Sequence, residues 1–308
     1  MKLSLVIVNS DGCTDTLACI AALYATPPAC TFEIILVDNC SQDGCVAQVQ
    51  TRYPDVRIGT APARQGFAKN YNQGMHLARG DYLLVLNNDT LVPAGALDTL
   101  CALLDSHPEY GMVGPQLRNA RGQVQWDCAR PFPTVASFLA QALLLDTIPP
   151  LATLWRAWLR QRTRTRPTGV VACICGAAML VRRQAIADAG MFDEAYVFYY
   201  EDVEWCHRLS RTCWQIGYCA NVRITHLGDQ SLGRVKLLAK RSEFASALRY
   251  FRSYHGLGER GIALCRAAMR WSYLMRAVLF LLRRGLGGRP GYAREYLYLW
   301  HELHTGEH

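Results

Sequence analysis

The chain has 308 residues, and 51% of them are apolar, enough to bury a full core and too many for a disordered chain. Thirteen cysteines are scattered without a Cys-x-x-Cys pair, and Cys173-Ile174-Cys175 alone is a poor metal site, which points to a reduced, cytosolic protein rather than a disulfide framework. The net charge of +8 belongs to the tail: residues 230–308 hold 14 Lys+Arg against 5 Asp+Glu, so the first 229 residues carry about −1, and the tail rather than the whole chain calls for a partner.

Residues 3–8 read as a buried strand; after Lys2 the apolar run is too short for the core of a signal peptide. Asn9-Ser10-Asp11-Gly12 is a turn, and Thr14 or Asp15 is placed to cap a helix to about Tyr24. A second strand, 32–37, ends in Asp38-Asn39. Ser41-Gln42-Asp43 opens a helix to about Arg52, and 56–58 is a short strand. Residues 66–77 form a helix closed by Arg79-Gly80. The run Tyr82-Leu83-Leu84-Val85-Leu86 then stops at Asn87-Asn88-Asp89, which sets two amides and a carboxylate at a strand end, where open α/β sheets bind ligands. The same residues also read as a turn and cap for the helix after Pro93. A helix over 97–104 and a short strand over 112–114 follow. The alternation implies an α/β fold with a largely parallel sheet.

From about 117 to 167 the alternation breaks. A short apolar helix near 138–145 precedes a basic loop with Arg156, Arg160, Arg162, Arg164 and Arg166 and no acid between them, either a solvated charge run or an anion or membrane contact. Residues 170–181 read as a strand interrupted at Gly176-Ala177-Ala178, where a glycine marks close approach of a ligand or backbone. Tyr199-Tyr200-Glu201-Asp202 opens a helix to about Arg211, on which Glu204 and Arg208 read as an ordinary surface pair. The last strand, 215–225, ends at His226. No Gly-x-Gly-x-x-Gly follows the first strand, which counts against a dinucleotide fold.

Taken in order, Leu36-Val37-Asp38-Asn39, Gly66-Phe67-Ala68-Lys69-Asn70-Tyr71-Asn72, Leu86-Asn87-Asn88-Asp89, Gly176-Ala177-Ala178, Phe192-Asp193-Glu194, Glu201-Asp202-Val203-Glu204-Trp205 and His226 resemble the family 2 glycosyltransferases of GT-A fold. The rhamnosyltransferase-like branch is the most similar, and the resemblance covers roughly residues 1–255. It implies an inverting enzyme that uses a nucleotide-sugar donor and a divalent cation, Mn²⁺ or Mg²⁺.

The resemblance also implies roles. Asp38 contacts the nucleoside, where a strand-end carboxylate accepts from a base N–H or ribose hydroxyl; the competing role, capping the next helix, suits Ser41 better. Asn9, Asn39, Gly66, Lys69, Asn70, Asn72, Asn87, Asn88 and Gly176 line the donor pocket. Lys69 reaches the diphosphate or is a surface lysine, Asn72 holds the pocket by its amide, and Gly176 lets the backbone approach the sugar. Asp89 matches the last acid of the family's Asp-x-Asp metal motif and His226 its completing histidine; Asn87 stands at the first position, leaving one carboxylate. Asp202 is the expected catalytic base, with the adjacent Glu201 binding acceptor or holding a backbone amide; otherwise the two are simply favourable acids in a first helical turn.

In the tail, 262–282 carries apolar residues near helical spacing, with Arg266, Arg270, Arg276, Arg283 and Arg284. Arg276 interrupts the run, so the helix either lies on an anionic membrane or packs on the catalytic domain; nucleic acid is not expected. These readings divide the chain into a transferase domain, 1–229, and a basic helical tail, 230–308. They give a cytoplasmic enzyme, peripheral at the inner face of the membrane, moving rhamnose from dTDP-rhamnose to a cell-surface glycan or polyprenyl-linked saccharide. The rivals are a non-catalytic sugar-nucleotide or glycan-binding module and a membrane-recruited scaffold.

Overall fold

The computed structural model describes residues 1–143, 166–228, 236–284 and 295–301. Most of the basic loop, Arg156 to Arg164, lies outside the described residues. Two compact units are present, one made of Met1–Phe132 and Leu159–Arg234, the other of Pro133–Trp158 and Val235–His308.

The first unit is built on a nine-stranded sheet. Strands β1 (Leu3–Asn9), β2 (Phe32–Asp38), β3 (Arg57–Thr60) and β4 (Tyr82–Asn87) run parallel, in the order β3-β2-β1-β4. Their aliphatic runs are almost wholly buried, as expected where both faces of a parallel sheet are covered. Helices α1 (Cys13–Ala25), α2 (Cys45–Arg52) and α3 (Phe67–Leu77) join them. Helix α3 packs on β1 and β2, where a side chain at Gly74 would stand 2.2 Å from Val6 Cγ1.

The sheet continues beyond β4 through strand pairing. After the two-residue β5 (Thr90–Leu91) and helix α4 (Ala96–Ser106) come β6 (Tyr110–Arg118), β7 (Ala129–Arg130), helix α5 (Val135–Ala142), β8 (Gly169–Val171), β9 (Cys173–Ile174) and β10 (Ala178–Arg182). The stretch expected as a strand interrupted at Gly176-Ala177-Ala178 is three pieces, with the expected break at the Gly176 turn and a second at Ala172. Strand β10 inserts antiparallel between β4 and β6, while β11 (Gln215–His226) lies parallel to β6. Helices α6 (Arg183–Ala189) and α7 (Glu201–Leu209) lie between β10 and β11.

This topology gathers the site. Asn9 is in register with Asp38, and Val8 with Asn87, so three strands finish at one edge. Antiparallel β10 starts at that edge, with Asn87 N–H donating to Ala177 O at 2.9 Å. Strand β11 ends there too, with His226 paired to Thr90.

Three local expectations change. Helix α2 starts at Cys45, not at Ser41-Gln42-Asp43, with Gly44 at its cap. Helix α1 starts at Cys13, so Thr14 and Asp15 lie inside it, and Asp43 Oδ2 accepts the Cys13 N–H at 2.8 Å. Glu204 and Arg208 are not a surface pair: Glu204 is 4% exposed, and Arg208 also donates to the carbonyls of Ala189 and Met191, pinning the turn before Phe192.

The second unit holds α5 and two long helices, α8 (Lys236–His255) and α9 (Glu259–Arg284). Phe138 of α5 meets Phe244 and Phe251 of α8 at ring separations of 6.0 and 5.6 Å. Tyr273 and Ala277 of α9 form a small core with Tyr296 and Leu299. Among the described residues no helix is long and apolar enough to cross a membrane.

Candidate active site

The donor end begins with Asp38, whose Oδ2 accepts the Ser41 N–H at 3.1 Å and whose Oδ1 accepts from Asn9 Nδ2 at 3.3 Å. Asn9 is fully buried, and its amide also reaches Ser41 and Asp43 while accepting from Gly12 N–H and Thr16 Oγ1. It ties the β1 and β2 turns together and sets the Asp38 rotamer. Asn39 does the same for the next segment: its Oδ1 accepts Gln65 N–H at 2.7 Å and its Nδ2 donates to Gln65 O at 3.0 Å. The Asn70 amide donates to Gly66 O at 2.9 Å, leaving its buried Oδ1, like Gln65 Oε1, with no partner among the described residues. Two unsatisfied buried acceptors in the segment that Asn39 holds are costly unless a ligand supplies N–H or O–H groups. Lys69 is exposed on the far side of the same turn of helix.

Gly66 and Asn72 both make close contacts within the protein. A Cβ on Gly66 would stand 2.4 Å from Val197 O, and the Phe67 N–H donates to that oxygen at 2.9 Å. Asn72 grips Phe192 with both ends of its amide, donating to the Phe192 carbonyl at 3.0 Å and accepting its N–H at 3.1 Å, and it also reaches Glu194. Phe192 in turn packs on the fully buried Trp205 of α7, 4.2 Å between centroids. The segment around Gly66 thereby fixes the loop that leads into Glu201-Asp202. At the end of that loop Tyr199 and Tyr200 both adopt left-handed backbone, φ 64° and 66°, which costs a non-glycine residue about 1–3 kcal/mol and clusters at functional sites.

Asp202 is buried at the start of α7. Its Oδ2 accepts the Gly176 N–H at 3.1 Å and Arg130 Nη2 at 3.2 Å, and its Oδ1 accepts the Val203 N–H at 2.7 Å. A side chain at Gly176 would make only ordinary contacts, 3.4 Å from Asp202 and Phe67, so this glycine serves through its N–H. Glu201 is also buried, and its Oε2 has no partner among the described residues. Burial, with the neighbouring Asp202 charge, pushes its carboxyl up to about 8, so Glu201 holds a proton at neutral pH.

The third corner joins β4, β5 and β11. Asp89, 6% exposed, has Oδ1 3.4 Å from His226 Nε2. Asn87 Nδ2 stands 3.3 Å from the same nitrogen, and its Oδ1 accepts the Tyr71 hydroxyl at 3.2 Å. Asn88 turns inward to Thr16 Oγ1, 2.9 Å away, and braces α1. One carboxylate and one imidazole fit a divalent cation that takes its other ligands from phosphate and water; among the described residues no third His, Cys, Asp or Glu joins them.

The structure adds residues that sequence reasoning missed. Arg130 on β7 pairs with Asp202, and Gln125, five residues earlier, hydrogen-bonds His226. Trp126, 44% exposed, lies 5.8 Å from the Arg130 guanidinium. All three sit in the stretch without periodicity, and a lone Gln or Arg there carries no signal.

An N-acetylglucosaminyl-diphospho-decaprenol L-rhamnosyltransferase of Mycobacterium tuberculosis is 29% identical over 253 residues, 78% of this chain and 79% of that protein. Among solved structures, the mannosyltransferase PcManGT of Pyrobaculum calidifontis, in complex with GDP-Man and Mn²⁺, superposes with a TM-score of 0.54 at 15% identity, covering 98% of this chain and 80% of that one. GalNAc-T7 with UDP, GalNAc and Mn²⁺ gives a TM-score of 0.54 at 15% identity, over 73% of this chain and 44% of that one. The fold is GT-A. The family model described as glycosyl transferase family 2 matches residues 4–190. The chain belongs to that family and is a glycosyltransferase of the rhamnosyltransferase-like kind.

Proposed function

We propose that this glycosyltransferase is inverting and divalent-cation-dependent, and that it transfers rhamnose from dTDP-rhamnose to a hydroxyl of a polyprenyl-diphosphate-linked saccharide. The carrying observation is that Asp38, the Asp89–His226 pair and Asp202 share one sheet edge, with Asp202 held on a separate element from the other two. The relative from M. tuberculosis supports the choice of sugar and acceptor by its name.

Each residue then has a task. Asp38 and the unpartnered oxygens of Gln65 and Asn70 accept from the nucleoside. Asp89 and His226 hold the cation, which as a Lewis acid would neutralise the nucleoside-diphosphate leaving group. Asp202 takes the proton of the acceptor hydroxyl as that oxygen bonds the anomeric carbon and the bond from that carbon to the diphosphate oxygen breaks. A carboxylate offers about four lone-pair sites. Gly176 and Arg130 bond Oδ2, and Val203 and a longer 3.5 Å contact from Arg130 bond Oδ1, so the acceptor hydroxyl takes the place of that weakest contact. Protonated Glu201 offers a donor to the acceptor or the sugar.

We also propose that the enzyme works as a peripheral protein on the inner face of the membrane. Leu264, Trp271 and Val278 recur every seven residues along α9 and are 58, 50 and 39% exposed, with the exposed Arg260 one turn before Leu264 on the same face. An exposed apolar stripe with tryptophan and arginine suits an anionic lipid surface.

A thermal-shift panel of nucleotide sugars, with and without Mn²⁺, tests the donor and the cation together. The expected result is the largest stabilisation with dTDP-rhamnose plus Mn²⁺. No shift with any nucleotide would refute the reading.

A further inference from the structure

We infer that Gln125 is a positioning residue of the cation corner: it holds His226 as the Nδ1–H tautomer and so turns the Nε2 lone pair toward Asp89. This rests on the cation reading proposed above.

The proton placement follows from hydrogen-bond logic. The His226 carbonyl can only accept, and Gln125 Nε2 lies 3.2 Å from it, which fixes that end of the amide as the NH₂. The other end, Oε1, can only accept, and it lies 3.0 Å from His226 Nδ1. Nδ1 therefore carries the hydrogen. In the neutral ring Nε2 is then a lone pair. The Asn87 orientation follows from this: the end of its amide 3.3 Å from that lone pair is the NH₂, which donates to it. Its Oδ1 lies 3.2 Å from the Tyr71 hydroxyl, whose one hydrogen is shared with the Leu86 carbonyl at 3.0 Å. A ring with hydrogen on Nε2 would instead meet that NH₂ head-on and leave Gln125 Oε1 facing a bare nitrogen.

Gln125 is itself well placed for this task. Its N–H donates to Leu117 O at 2.9 Å, anchoring it to the end of β6, the strand beside β11. Both the backbone and the side chain of Gln125 thus refer His226 to the sheet. At the position where the family motif carries an acid, this chain places a hydrogen-bond donor on the very lone pair that a cation needs. Asn87 must turn aside when a cation binds, which weakens the empty-to-loaded transition relative to a carboxylate at that position.

The test measures Mn²⁺ binding directly, by electron paramagnetic resonance of free Mn²⁺ in the presence of dTDP, on the full chain and its Gln125→Ala, Gln125→Glu and Asn87→Asp variants. Losing an outer partner of a metal-bound histidine typically costs roughly 10–100-fold in affinity. Gln125→Ala should weaken Mn²⁺ binding by that factor, whereas Gln125→Glu, which still accepts from Nδ1, should retain affinity within a few-fold. Asn87→Asp should bind Mn²⁺ more tightly than wild type. A second readout needs no metal: ¹⁵N shifts of the His226 ring should show Nδ1–H in wild type and lose that preference in Gln125→Ala. Wild-type Mn²⁺ binding with an unchanged Gln125→Ala would overturn the role of Gln125 and leave the cation reading standing. No Mn²⁺ binding by wild type overturns both. An Nε2–H ring in the wild-type protein overturns the inference whatever the metal does. Unfolding of Gln125→Ala is detected by circular dichroism, and the Gln125→Glu and wild-type ring measurements then decide the matter.

Discussion

Gly66→Ala is the most informative single perturbation, because the structure gives Gly66 a mechanical task at a distance from the chemistry. A methyl group there would lie 2.4 Å from Val197 O and 2.9 Å from Val197 Cα, both backbone atoms that no rotamer change can move. Restoring normal contact needs a displacement of ~1 Å, judged against the usual carbon contact distance. Overpacking of this kind costs about 1–3 kcal/mol, and losing the Phe67 N–H to Val197 O hydrogen bond about 0.5–1.5 kcal/mol more. The sum, about 1.5–4.5 kcal/mol, is a large part of a typical stability of about 5–15 kcal/mol. At about 2–4 °C per kcal/mol, Tm should fall by roughly 3–18 °C. The catalytic consequence is separate. Val197 opens the loop that delivers Asp202, the proposed base, and a 1 Å misplacement of a catalytic group costs on the order of 100-fold in rate. Melting by circular dichroism and initial transfer rates read the two effects. Gly176→Ala is the control: its methyl group meets nothing closer than 3.4 Å and the N–H to Asp202 remains, so stability should change little. A Gly66→Ala enzyme with wild-type Tm and wild-type kcat would refute the reasoning.

Asp89→Ala should abolish Mn²⁺-stimulated transfer, because it removes the only carboxylate of the cation pair, whereas Asn87→Ala should only weaken it; kcat measured across a Mn²⁺ titration separates them. Asp202→Asn should bind dTDP as wild type does and lose at least ~100-fold in kcat, as expected for loss of a general base, and wild-type turnover would sink that assignment. Glu201 carries a pH signature. Its folded carboxyl is raised from 4.5 to about 8, so the native state binds the extra proton, and that contribution to stability is lost as pH rises from about 4.5 through 8. Tm should fall over that range in wild type and fall less in Glu201→Gln; identical slopes would remove the buried-acid reading. Leu264→Glu with Trp271→Glu should cut binding of the full chain to phosphatidylserine vesicles at least ten-fold without altering Tm, and unchanged sedimentation would leave the stripe without a lipid partner.

Much of this was legible in the residues, and the limits have physical causes. Strands announce themselves when both faces are buried, so 3–8, 32–37 and 82–87 were visible as continuous apolar runs, and their polar ends marked the binding edge. Pattern could not show which polar end faces a ligand. Asn9, Asn39, Asn72 and Asn88 look like pocket residues in sequence, yet their amides are used within the protein to tie turns together. A buried amide and a ligand-facing amide have the same letter and the same spacing. Glu204–Arg208 failed for a related reason: i,i+4 spacing fixes a helix face but not whether that face is wet. Gln125 and Arg130 were invisible because their partners are 101 and 72 residues away and their own segment has no period.

The interleaving of the two units has a consequence for synthesis. Helix α5 is made early, but Phe138 meets its aromatic partners only on α8, which begins at Lys236. At about 5–20 residues per second, translation of the intervening chain takes roughly 5–20 s. Through that time α5 has been made while Phe244 and Phe251 do not yet exist. The nascent chain must carry an unpaired apolar helix through the completion of the sheet, and it is at this stage, not after release, that a chaperone would have the most to hold.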